Sequence, residues 1–388
     1  MATNRPTFNP IDFDKNNRGE MRVEQDGTFA VLSLEVIQNI VGNLDNQSLA
    51  RLSRSYSSFY VVTQAQRDEA RLSAFLKAVV DDDRLAVKRM LENNPNLLLM
   101  TPPKGMKVTT RAWQTFYAEA APLMAAKCGQ IEMLKIMRPY FDCLPDQAQA
   151  NAQLEAVRLA WPYKTQQNTQ GFDEIIIPEA YAYYANALVD AFIAEPIQDN
   201  AHLSESAQSA FLACFNMLLP KVAVHLDDYV NPELWLLALL KVYWSRNDFQ
   251  TRKQLDAFCV RLIGLAQSVL SVESAKIFCE GLYRVVEEKK EISERARELK
   301  LNDDQTLFYP SKRPSVDSTT GLGFHSFCGF YNGRGDVGQV EAWVRGGLGV
   351  GRRWCWKTYV EQKQRVYGEL CSESQRSQDT PAMMVANR

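Results

Sequence analysis

Ala121-Pro122-Leu123-Met124-Ala125-Ala126-Lys127-Cys128-Gly129, followed at once by Gln130-Ile131-Glu132-Met133-Leu134-Lys135-Ile136-Met137, is the stretch whose reading decides the fold. Pro122 presets φ for a first helical turn, where its missing N–H costs nothing. Gly129 permits the left-handed turn between two helices. Met124, Met133 and Met137 read as core residues whose pliable side chains fill gaps. The second helix is expected to end at Pro139. A similar pair stands upstream. Leu72 to Val80 forms a short helix, Asp81-Asp82-Asp83 turns it, and Leu85 to Leu91 forms a second helix ended by Asn93-Asn94-Pro95. Leu85 corresponds to Ile131, Val87 to Met133 and Met90 to Ile136, an offset of 46 residues.

These pairs resemble ankyrin repeats. Ala121-Pro122-Leu123-Met124-Ala125-Ala126 is similar to that family's Thr-Pro-Leu-His-x-Ala opening. An unbroken repeat runs about 33 residues, so the longer offset implies an insertion. Thr101 to Phe116, with Pro102, Pro103 and Gly105, is its expected place, as a loop. A stable stack needs about three repeats. The third is expected within residues 150–195, where Ala180 to Ile193 is helical. The resemblance implies a concave surface that holds an unknown protein target.

Upstream lies a short helical module. Ser33 can cap a helix whose apolar face is Val36, Ile37, Ile40, Val41 and Leu44, and Asp45-Asn46 breaks it. Leu49 and Leu52 belong to a second helix, and Tyr56 and Phe59 to a third. About 30 residues cannot bury a core alone, so this surface must pack on something else. The segment resembles the F-box: Leu32, Leu34-Glu35-Val36, Ile40, Leu44, Leu49, Leu52 and Phe59 match that family's order and spacing, with Ser33 where proline is usual. The resemblance implies docking on the Skp adaptor of cullin–RING ubiquitin ligases. Leu32, Leu34, Ile37, Ile40 and Leu44 would insert into the adaptor, with Glu35, Val36, Val41, Leu49, Leu52 and Phe59 completing the site.

Farther along, helical periodicity continues to about Lys300. Asn231-Pro232-Glu233 reads as a helix start, and Leu234 to Leu240 as a buried helix. Ser271 to Lys300 is expected as one helix, with Glu287-Glu288-Lys289-Lys290-Glu291 as its solvated face. Glu174 to Pro178 is the one short strand candidate. The fold class is therefore all-α. The expected organisation is a tail (1–28), the F-box-like module (29–66), ankyrin-like repeats with insertions (67–200), a helical domain (201–300), a linker (301–320) and a C-terminal module with a polar tail (321–388). Ten of the 19 glycines fall between Gly321 and Gly351.

Composition narrows the function. With 46% hydrophobic and 23% charged residues, the chain is globular in type. A net charge of −2 gives no broad case for nucleic acid or an anionic membrane. No apolar run reaches the ~20 residues of a membrane span, and the start lacks a secretory signal. Eight cysteines without a C-x-x-C pair suit a reducing cytoplasm. Only His202, His225 and His325 could serve histidine chemistry, and His202 and His225 read as structural.

Weaker signals cluster near the C-terminus. Gly333-Arg334-Gly335-Asp336-Val337-Gly338 fits G-x-G-x-x-G but lacks the strand–helix context of a dinucleotide site. His325 with Cys328, Cys355 and Cys371 offers zinc-ligand types at no named spacing. Cys328 or Cys355 beside His325 offers a thiol–imidazole pair. Gln362-Lys363-Gln364-Arg365 reads as a solvated face. The leading expectation is a non-catalytic, cofactor-free substrate receptor of a Skp–cullin–F-box ligase, similar to effectors that intracellular bacteria secrete into the host cytosol. Two other readings stay open: an interaction scaffold with no ligase link, and a thiol enzyme within residues 321–371.

Overall fold

A computed structural model describes residues 43–45, 47–48, 51, 57–167, 169, 173–194, 203–245, 254, 257–280, 285–286, 288–299, 308–309 and 355–379. Of these, 66% are helical and 5% lie in strands, so the chain is mainly α. It divides into two compact units, Met1–Arg71 and Leu72–Arg388.

In the first unit, Asp45 closes the turn at residues 43–45, and its Oδ1 accepts the Ser48 N–H at 2.7 Å. This is the N-capping arrangement its polar side chain favours. Ser57–Val80 then forms α1, a single helix of 24 residues. The two short helices expected around Phe59 and Leu72 are thus one. No glycine or proline interrupts residues 57–80, so nothing breaks the ladder.

In the second unit α1 ends at the Asp81–Asp83 turn, where Asp82 takes a left-handed φ of 51°. Arg84–Asn93 is α2, capped by Asp83 through the Ala86 N–H. The expected loop at 101–116 is instead a hairpin, β1 (Lys107–Thr109) and β2 (Thr115–Tyr117), antiparallel. Three-residue strands are too short for alternation to announce. Val224 extends the hairpin, donating to Thr115 O and accepting from Tyr117 N, and so supplies strand pairing from about a hundred residues away.

Ala121–Lys127 is α3 and Ile131–Phe141 is α4, joined at Gly129 with φ +69°. Met124, Met133 and Met137 are fully buried. Pro139 does not end α4; the helix runs one residue pair past it, because proline removes a single N–H and the last turn closes on Phe141. The two helix pairs also differ. Ile131 is buried, whereas Leu85 is 69% exposed.

Gln147–Ala160 forms α5, and a second hairpin follows, β3 (Thr165–Gln167) with β4 (Asp173–Ile175). Glu179–Ile193 is α6, Glu205–Leu218 α7 and Pro232–Ser245 α8. Leu234 to Leu240 is buried throughout, as its apolar run requires. A π-helical turn, Cys259–Ile263, leads into α9, Gly264–Ser268.

The expected helix over 271–300 is broken. Val272–Glu280 is α10 and Glu294–Arg297 is α11, and between them residues 288–293 are not helical, with Lys289 at φ 56°. Glu288 to Glu291 therefore lie outside a helix, not on a helix face. A helix gains little there, because the run offers no apolar stripe to bury.

Cys355–Asp379 is α12. It packs on α4, α8 and β4, while α3 packs on α4 and α5, and α8 on α6 and α9. Two residues of the expected linker are core: Phe308 is fully buried, and Tyr309 donates to Leu270 O at 2.6 Å. No single helix among the described residues is long and apolar enough to cross a membrane.

Candidate functional site

Of the residues expected to dock an adaptor, Leu44 and Phe59 alone are described; Leu44 is half-buried in the turn before Asp45, and Phe59 lies on α1. Leu32, Leu34, Glu35, Val36, Ile37, Ile40, Val41, Leu49 and Leu52 lie outside the described residues. So do His202, His325, Cys328 and the glycine-rich motif at 333–338. Cys355 begins α12, and His225 stacks on Tyr117 with ring centroids 4.6 Å apart. Among the described residues no three His, Cys, Asp or Glu side chains gather as a metal group.

The polar centre of the second unit is Glu233. It enters the core because Asn231 caps α8, accepting the N–H groups of Glu233 and Leu234 at 3.0 and 3.1 Å. An acid in the first turn also suits the positive end of the helix dipole. Lys363 Nζ donates to both Glu233 carboxylate oxygens, at 3.0 and 2.9 Å. Ser271 donates to the same carboxylate at 3.0 Å, and Tyr163 and Ser274 make shorter bonds to it. Trp356 Nε1 donates to the Glu233 carbonyl at 3.1 Å.

Trp356, Tyr359, Lys363 and Tyr367 recur every three or four residues, so α12 presents them on one buried face. Lys363 is 2% exposed. The expected solvated face at 362–365 is corrected here: Arg365 is exposed, Lys363 is fully buried, and Gln364 accepts the Trp161 Nε1–H at 2.7 Å. Burial alone would pull the Lys363 ammonium down, but the Glu233 carboxylate overrides it and holds the lysine well above its ordinary range. The signal was present in the sequence. The apolar phase of Trp356, Tyr359, Val360 and Tyr367 already placed Lys363 inward.

Glu273 is the second buried acid. Its Oε2 accepts the Glu132 N–H at 3.1 Å, and Lys363 Nζ lies 3.6 Å from its Oε1. One ammonium thus faces two carboxyl groups and bonds closely to Glu233. Burial pushes the Glu273 carboxyl up to about 7, with Lys363 pulling the other way. A folded-state value above the unfolded one favours the folded protein at low pH. This contribution is complete below about pH 4.5 and is lost as pH rises through about 7. Glu273→Gln mimics the protonated form. Its stability relative to the parent is expected to improve by a few kcal/mol between pH 5 and pH 8. Urea titrations at both pH values check this, and parallel pH profiles would refute it.

Beside this network opens a cleft of about 1000 Å³. The Asp82–Leu85 turn, the start of α4, the Lys276 face of α10, the 290–292 turn and α12 line it. Lys276 Nζ and Arg84 Nε hold the buried Asp82 carboxylate at 2.6 and 2.9 Å. Glu273, Tyr359 and Lys363 also line the cleft. It is of a size and mixed polarity suited to a ligand or a peptide.

No family model, curated protein or solved structure matches the chain.

Proposed function

We propose that the protein is a substrate-recruiting subunit of a Skp–cullin–F-box ubiquitin ligase. The observation that carries the reading is the ordered run Leu32, Leu34-Glu35-Val36, Ile40, Leu44, Leu49, Leu52 and Phe59. The Asp45–Ser48 cap supports it, since a polar break with a new helix start belongs at that point of the pattern. Residues 32–59 bind the adaptor, and the helical pairs downstream hold the target. The ligase then gains rate by proximity, with the chemistry done by its other subunits. Action in a reducing cytosol fits the cysteine usage; Cys128, for one, is a buried thiol that burial pushes up to about 12.

The continuity of α1 from Ser57 to Val80 favours a second reading, a plain ankyrin-type scaffold in which residues 32–59 act only as a helical cap. One experiment separates the two. Co-purification with the Skp adaptor is expected to give a stoichiometric complex with the parent protein. Leu32→Ala/Leu34→Ala is expected to weaken it about a hundredfold or more, as two buried leucines removed from an interface should. Absence of a complex with the parent protein would leave the scaffold reading in its place.

A further inference from the structure

The Gly129 turn that joins α3 and α4 is followed by Gln130, a polar residue only 1% exposed. Its Nε2 donates to the Val80 carbonyl at 3.3 Å. Its Oε1 is buried and has no hydrogen-bond partner among the described residues. Turning the amide over would set Oε1 against the Val80 carbonyl, so the Val80 bond fixes its orientation. A buried amide oxygen left in this state is costly, and native folds rarely leave one so.

Gln130 lines a small cavity, separate from the large cleft. The end of α1 at Val80, the turn between β1 and β2, and the Leu270–Val272 corner before α10 form its other walls. About 10 Å³ of it is open to the centre of a water molecule, which is room for one water and nothing larger. A cavity lined only by hydrocarbon stays dry. This one is not so lined, because Thr110, Gln114, Gln130, Tyr229 and Ser271 all border it. Gln114 Nε2 donates to the Leu218 carbonyl at 3.2 Å, and the same amide bonds the Tyr229 hydroxyl, which leaves the tyrosine's own proton to be given elsewhere. The wall thus holds an acceptor that lacks a donor and a hydroxyl with a proton to give.

We propose that this cavity is a binding site for a single water molecule, which donates to Gln130 Oε1 and accepts from the Tyr229 hydroxyl. A buried water with two or more polar partners is part of the structure, and removing it is costly. Here it ties the Gly129 turn of the helix pair to the segment before α8, about a hundred residues later in the chain. Ser271, on the same wall, donates to Glu233 at 3.0 Å, so the site adjoins the buried polar network. The proposal stands apart from the ligase reading.

Magnetic relaxation dispersion of the water oxygen nucleus tests this on the intact chain, because it counts long-lived internal waters and is blind to exchanging hydroxyl protons. The parent protein is compared with Gln130→Met, which keeps the side-chain length and removes the acceptor. Gln130→Met is expected to hold one internal water fewer per chain. Val272→Ile is the second variant; it adds one methyl group, about the size of a water, to the cavity wall. It is expected to lower the melting temperature, because displacing the water leaves Gln130 Oε1 without a donor. In a dry cavity the same methyl would fill empty space and raise the melting temperature. A crystal structure of the parent protein is expected to show the water about 3 Å from Gln130 Oε1. A water count unchanged by Gln130→Met, a melting temperature raised by Val272→Ile, or no water beside Gln130 in the crystal would each overturn the proposal.

Discussion

Replacing Lys363 with methionine is expected to cost about 3–5 kcal/mol of folding stability, the range found when one partner of a buried ion pair is removed. Methionine keeps most of the length and apolar volume, so lost packing contributes little. What changes is charge. Lys363 Nζ touches both Glu233 oxygens and lies over the rings of Tyr359 and Tyr163, 5.1 and 5.6 Å from their centroids. Without it, the Glu233 carboxylate keeps its hydroxyl donors from Tyr163, Ser271 and Ser274 but has no counter-ion. A buried charge left in this state either remains at high cost or takes up a proton.

The loss also loosens α12 from α8 and α10, because the Trp356–Glu233 bond and the Tyr359–Ser274 contact flank the same lysine. Urea denaturation is the measurement. The double variant Glu233→Gln/Lys363→Met, which removes both charges, is expected to recover most of the stability, since neutral replacement of a buried pair is often nearly free. A loss below about 1 kcal/mol in the single variant would mean that the pair is solvated in solution.

Gly129→Ala is expected to destabilise by about 2–5 kcal/mol. Two independent costs fall on the same residue. Its φ of +69° lies in the left-handed region, where a Cβ costs about 1–2 kcal/mol. A Cβ there would also stand 2.5 Å from the Tyr163 hydroxyl oxygen, far inside contact distance. Tyr163 cannot readily yield, because it is fully buried and its hydroxyl is bound to Glu233. Overpacking of this kind adds about 1–3 kcal/mol. Gly105, with a φ of +87° and open space where its Cβ would point, is the control. Gly105→Ala should bear the backbone cost alone, so the difference between the two melts isolates the Tyr163 clash.

How much was legible follows from the range of each interaction. The α3–α4 pair could be read because Pro122, Gly129 and the apolar spacing of Met133 and Met137 are local rules, complete within two helical turns. The α8 start could be read because Asn231 and Pro232 act on neighbouring N–H groups. The β1–β2 hairpin could not, because its three-residue strands gain pairing from Val224, far along the chain. The break at Lys289 was hidden by charges that suit a solvated helix and a turn equally well.

The candidate site divides in the same way. The spacing of Trp356, Tyr359, Lys363 and Tyr367 is a property of sequence, as is the leucine pattern of residues 32–59, but the charge of Lys363 masked its inward phase and it read as solvated. The partner of Lys363 is not, since Glu233 stands 130 residues earlier. Helical period, caps and turns were determined by the sequence itself, because hydrogen bonds four residues apart enforce them. The tertiary structure alone decided which charges are buried, which carboxyl shares an ammonium and which leucine faces an open cleft, because the energy of a charge depends on what lies within a few ångströms of it, whatever the distance along the chain.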